Sequence, residues 1–231
     1  MIDPYLLSVI IFFSFLAVLI YRDRKNIDFK YVIIMRRTKR FRDILDRIAK
    51  KSISFWKTVG TIAFIVCLLS MAFGIYQILN SAYLVYIGLI KEPAIQVVLP
   101  FPFEQGVSGP GFIGIPFWFW IIAVATILIP HESFHGIISR TENIKLKDVG
   151  LILMLLQYIT IPVVIIYFIY TQTFDLILFL VALSFSIPGA FVEPDEKQLK
   201  KSKLMTKLRV FSAGSFINIV IGILIVLLVQ G

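Results

Sequence analysis

The chain has two histidines in 231 residues, and they stand four apart in His131-Glu132-Ser133-Phe134-His135. On a helix, positions i and i+4 lie one above the other on one face, so both imidazoles can reach a single Zn²⁺. Glu132, one residue beyond His131, can reach a metal-bound water as general base, since zinc lowers the pKa of that water to about 7. The spacing therefore predicts a zinc hydrolase centre with His131 and His135 as ligands and Glu132 as the catalytic residue. The plainer reading is a pair of buried polar residues bonded to neighbouring helices. It must also account for an ionisable glutamate inside an apolar run, where a charge at the bilayer centre costs about 2.5–3.5 kcal/mol or more. Pro130 immediately precedes His131 and removes one helical hydrogen bond.

The elements that must position these residues are membrane elements. Hydrophobic residues make up 58% of the sequence and charged residues 16%, and the apolar residues gather in long uncharged runs. That excludes an ordinary soluble domain, because about 20 apolar residues suffice to cross about 30 Å of hydrocarbon. The expected fold is an all-α polytopic membrane protein, 1–231 forming one transmembrane domain. Its spans are expected near 5–21, 59–79, 117–139, 150–170, 174–191 and 210–230. A re-entrant β-hairpin after the HExxH helix is the alternative for the middle of that list, because Leu151–Leu156 and Ser184–Val192 are short runs and Pro188-Gly189 would break a helix. The N-terminus lacks a basic n-region and a small-residue cleavage site, so the first apolar run is expected to be retained.

Charge sets the expected orientation. Residues 22–57 carry thirteen Lys or Arg against four Asp, which makes this basic loop cytoplasmic and the N-terminus external by the positive-inside rule. Phe41, Ile44, Leu45 and Ile48 follow helical spacing amid the basic residues, as an interfacial helix on anionic lipid would. The proline- and glycine-rich stretch 91–114 is expected to be an external loop or re-entrant segment, and Trp118 and Trp120 interfacial anchors. The net charge of +9 sits beside membrane spans, so lipid and not nucleic acid is the expected partner. Cys67 lies in an apolar run and reads as a small packed residue. Glu132 stands eight residues before Arg140, about 12 Å below the cytoplasmic boundary at 1.5 Å per residue.

Three segments together resemble the site-2 protease family of intramembrane zinc metalloproteases, in particular its archaeal-type branch. They are Ile129-Pro130-His131-Glu132-Ser133-Phe134-His135-Gly136, then Pro188 to Glu196, then Leu208-Arg209-Val210-Phe211-Ser212-Ala213-Gly214-Ser215-Phe216-Ile217-Asn218. The last is similar to the family's Ala-Gly-Pro-x-x-Asn helix, with Ser215 in the proline place. The resemblance implies cleavage of transmembrane segments of membrane-anchored regulatory proteins, Zn²⁺ as cofactor, and an edge at Gly189, Ala190, Phe191 and Val192 that pairs with an unwound substrate. A plain turn there is the alternative, and Asn218 is open between helix packing and a role in the site.

Two departures from the family pattern stand out. The family draws a third ligand from an Asp in a Leu-Asp-Gly motif, absent before Gly231, so the third metal ligand is unknown. Asp175, Glu193 and Asp195 are the later carboxylates to weigh. Extra apolar residues, roughly Tyr158 to Asp175, separate the HExxH helix from the Gly189 segment. A catalytically incomplete protein or fragment that binds membrane helices without cutting is the rival expectation, and a transporter lacks the repeated broken helices it would need.

Overall fold

The computed structural model describes residues 3–31, 33–91, 96–101, 104–109, 112–155, 157–173 and 186–230. Helix α1, Pro4–Arg22, starts where the Asp3 carboxylate accepts from the Tyr5 amide at 3.0 Å, with Pro4 in the first turn, where its missing N–H costs nothing. A 3-10 turn, Arg24–Asn26, leads to strands β1, Ile27–Lys30, and β2, Ile33–Arg37, paired antiparallel with Ile27 opposite Arg36. Tyr31, at φ 51°, makes the reversal between them. Helices α2, Lys39–Lys51, and α3, Ile53–Tyr86, follow. Strands β3, Val97–Phe101, β4, Val107–Gly109, and β5, Phe112–Pro116, form a three-stranded sheet with β5 central. Then come α4, Phe117–Thr141; β6, Leu146–Leu155; α5, Gln157–Thr171; β7, Ser186–Pro194; α6, Glu196–Lys201; and α7, Leu204–Gln230. The second sheet has the order β1-β2-β6-β7, so β7 is an edge strand.

Among the described residues, four helices are long and apolar enough to cross a membrane: α1, α3, α4 and α7, of 19, 34, 25 and 27 residues. At 1.5 Å per residue even the shortest reaches about 28 Å. Their side chains face outward in numbers that water would not tolerate: Leu69, Phe73 and Leu228 are 66%, 63% and 81% exposed. The protein is thus mostly helical and membrane-type, but the all-α expectation needs correction, since it holds two sheets. The six expected spans also differ from what is observed. Residues expected to begin a span at 150 continue strand β6, and α5 covers only 157–171. Of the span expected at 174–191, residues 174–185 lie outside the described residues and the rest belongs to β7. Short apolar runs look alike as buried strand and buried helix, and the sheet neighbours decide between them. β6 and β7 are neighbours in one sheet, yet α5 lies between them in the chain, so no tight hairpin turn joins them. The expected basic loop 22–57 is itself built, from the β1–β2 pair and α2.

The chain divides into two compact units. The first comprises 1–36, 80–124 and 152–189. There, Phe12, Phe13, Phe117 and Trp118 stack edge to face, with Phe117 fully buried. The Trp118 indole N–H donates to Ser8 Oγ at 2.9 Å, and Trp120 is buried.

The second unit comprises 37–79, 125–151 and 190–231 and contains the HExxH motif. Leu45 and Ala49 of α2 are buried against Ile137, Leu146 and Val149, with Phe41, Trp56 and Val192 beside them. Hence α2 turns Phe41 and Leu45 to protein, whereas Ile44 and Ile48 remain exposed, which splits the apolar face expected to lie on lipid. Gly136 allows this packing, because a Cβ there would meet Leu45 Cδ1 at 2.6 Å. The Arg140 guanidinium pairs with Asp46 (Nη2 to Oδ2 2.9 Å) and ties α4 to α2. A second cluster, Ile138, Ile144, Val210 and Ala213, packs α4 on α7.

Candidate functional site

Helix α4 places His131 and His135 one turn apart, and their Nε2 atoms come to 3.2 Å of each other. The far side of each ring is engaged by α7. His135 Nδ1 lies 2.6 Å from the Val210 carbonyl oxygen, which can only accept, so the proton of that ring sits on Nδ1 and Nε2 keeps its lone pair. His131 Nδ1 lies 3.0 Å from the Asn218 amide. The two contacts run in opposite order along the helices, one turn of α4 against two turns of α7: residues 131 and 135 meet 218 and 210. Between them stands Gly214, where a Cβ would come within 2.5 Å of both Nε2 atoms. Only a residue without a side chain lets α7 approach the two rings this closely.

Glu132 points to a different neighbour. Its Oε2 accepts the backbone N–H of Val192 at 3.0 Å, which fixes the carboxylate against β7. Residues Gly189 to Val192 lie within that edge strand. The structure therefore brings His131, Glu132, His135, Asn218 and Val192 together. Of the remaining candidate carboxylates, the two among the described residues have other partners. Asp195 caps α6, its Oδ1 accepting from the Gln198 amide at 3.0 Å, and that bond holds its carboxyl below the usual range. Glu193 pairs with Lys147 at 3.6 Å. Asp175 lies outside the described residues.

Helix α7 is held in place by a charged group that sequence reasoning gave no part. Arg209 donates to Glu142 Oε1 at 2.7 Å and, through Nε, to Thr61 Oγ1 at 3.0 Å. Thr206 Oγ1 donates to the other Glu142 oxygen at 2.9 Å. Glu142 retains 8% side-chain exposure, so this is a nearly buried pair with both carboxylate oxygens satisfied. Gly60 of α3 lies against the Arg209 stem, where a Cβ would meet it at 3.2 Å. Cys67 donates to the Ser212 carbonyl at 3.4 Å, a packing role as expected. The pair fixes the helix immediately before Val210, whose carbonyl meets His135. Gly214 was visible in the sequence only as part of a motif, and its role needed the opposing helix.

The donor pair suits a zinc ion. Two Zn–N bonds of about 2.05 Å at the tetrahedral angle set their nitrogens about 3.3 Å apart, close to the 3.2 Å found here. Both rings also have an outer hydrogen-bond partner, the usual companion of a metal-binding imidazole. Among the described residues, no group of three or more His, Cys, Asp and Glu gathers to complete such a site.

Residues 119–231 match the family model for peptidase family M50. Comparison with curated proteins and with solved structures gives no match.

Proposed function

From residues 119–231 belonging to peptidase family M50, the site-2 protease family, we propose that this chain is an intramembrane zinc endopeptidase of the archaeal-type branch. Its substrates would be transmembrane segments of membrane-anchored regulatory proteins. The observation that carries the reading is the pair of Nε2 atoms 3.2 Å apart on an apolar helix within the matched segment, with Glu132 beside them.

His131 and His135 would hold the ion, which when bound supplies Lewis acidity and makes water nucleophilic at neutral pH. Glu132 then takes the proton of the attacking water and delivers it to the departing amide nitrogen. Its bond to the Val192 amide keeps the carboxylate beside β7 and limits its rotamers. A spanning substrate is helical and offers no free amides, so it must unwind before attack. The edge at Gly189, Ala190, Phe191 and Val192 would receive the unwound stretch as an added strand. Backbone groups of a residue alternate in direction along a strand, so Ala190 and Val192 share the side on which Glu132 lies. That places the base and the incoming peptide along one edge.

In orientation, the N-terminus is external, and the segment 22–57 with its thirteen basic residues is cytoplasmic. The catalytic residues then lie about 12 Å below the cytoplasmic boundary, within reach of water from that side.

The test uses the full chain in detergent or nanodiscs with a model transmembrane substrate. Glu132→Gln retains zinc and loses cleavage, whereas His131→Ala loses zinc as well. Undiminished turnover in Glu132→Gln would remove Glu132 from the chemistry, and unchanged zinc content in His131→Ala would overturn the metal assignment.

A further inference from the structure

The contact between Asn218 and His131 carries a role that ordinary helix packing does not require. If both Nε2 atoms are to share one ion, both must present lone pairs, and each ring must then carry its proton on Nδ1. For His135 the Val210 carbonyl enforces this, since a carbonyl oxygen has no proton to give. For His131 the matching position is taken by the Asn218 amide. An amide can present either face. With its N–H₂ toward Nδ1, it demands a lone pair there and drives the ring proton to Nε2, where it points at His135 and bars an ion. With the amide turned by 180°, Oδ1 accepts the Nδ1–H and Nε2 is free.

The need for a lone pair on His131 Nε2 selects the oxygen. Asn218 Oδ1 is buried and has no hydrogen-bond partner among the described residues. As placed, Nδ2 faces His131 Nδ1; turning the amide exchanges its two ends, so that Oδ1 takes the Nδ1–H, one bond to the ring is kept, and only in this orientation is Nε2 free. Asn218 also lies two turns from Val210 and one from Gly214, on the face of α7 that meets both imidazoles. On the zinc reading above, we infer that Asn218 is a positioning residue: its Oδ1 holds the Nδ1–H of His131 and thereby sets the tautomer in which Nε2 can bind metal. It touches neither substrate nor ion.

The role separates Asn218 from a residue that only fills space. Asp keeps the acceptor and cannot turn a donor toward Nδ1, whereas Leu keeps the volume and offers nothing. Cobalt serves as the probe, because its visible spectrum reports ligand geometry independently of catalysis. The full chain, Asn218→Leu and Asn218→Asp are titrated with Co²⁺ in the same detergent, and the zinc-loaded forms are labelled with ¹⁵N-histidine. Only two histidines are present, so the two rings are told apart in the metal-free chain by comparison with His131→Ala and their signals followed as zinc is added. Asn218→Leu should weaken cobalt affinity about 10–100-fold and change the visible spectrum, while Asn218→Asp should retain both. The zinc-loaded chain should show a protonated Nδ1 on His131, and Asn218→Leu should lose that signal's protection. Equal affinity and spectrum in Asn218→Leu would overturn the inference alone, as would an Asn218→Asp variant as impaired as Asn218→Leu. A chain that takes up no cobalt in any form overturns the zinc reading, and the inference falls with it.

Discussion

Helix α7 contains two glycines eight residues apart, and they do opposite things. Gly214 is pressed against both imidazoles, where a single added carbon would come within 2.5 Å of three ring atoms. At Gly222 an added Cβ would meet nothing within 4 Å among the described residues. Val210, Ser212, Ala213 and Gly214 are buried, whereas Ile223 through Val229 are all exposed, with Leu228 at 81%. Both halves are apolar, and among the described residues only the first half is buried against protein. A small residue in a membrane helix is thus not a mark of close packing by itself; the partner on the other side decides.

The sharpest way to break this contrast is to add one methyl group at each position. Gly214→Ala should displace both rings and reduce metal affinity and cleavage together by at least about 100-fold, the scale expected for a 1 Å misplacement of reacting groups. Gly222→Ala should leave zinc content and turnover unchanged and alter stability by no more than about 1 kcal/mol, the helix-propensity difference between the two residues. Equal sensitivity at the two sites would show that the close approach at Gly214 is not used.

Of intermediate size is the effect of loosening α7 without touching the imidazoles. Arg209→Met removes one partner of a nearly buried ion pair and leaves Glu142 uncompensated, which should cost about 3 kcal/mol of stability. The measurement is thermal unfolding in detergent, paired with zinc affinity. The double change Arg209→Met with Glu142→Leu should recover much of the loss, because no lone charge then remains. If the single variant is as stable as the parent chain, the pair does not set the register of α7.

The site was legible unevenly. His131, Glu132 and His135 could be read directly, because a fixed helical repeat converts a spacing of four into one face. Val192 and Asn218 entered only through resemblance to a family, and their physical contacts, with Glu132 and His131, join residues 60 and 87 positions apart. Arg209 entered only as a residue of a motif segment and Glu142 not at all, since nothing local distinguishes a charge that finds a buried partner 67 residues away from one that faces water. The run after Lys147 misled for another reason. Val149 to Leu155 is uniformly apolar, so it has neither the period of a helix nor that of a strand, and its place in the sheet is a property of its neighbours.

What the sequence determined by itself was therefore everything that depends on local repeat and on solvent: that the chain is of membrane type, that it forms helices long and apolar enough to cross a membrane, and that two imidazoles and a carboxylate share one turn of such a helix. What the tertiary structure alone decided was the surroundings of that turn. The Val210 carbonyl, the bare backbone at Gly214, the Asn218 amide and the Val192 N–H are defined by contacts between segments far apart in the chain. Backbone groups are present in every residue, so no residue type signals them, and a carbonyl becomes a histidine's partner only when packing carries it to within 2.6 Å.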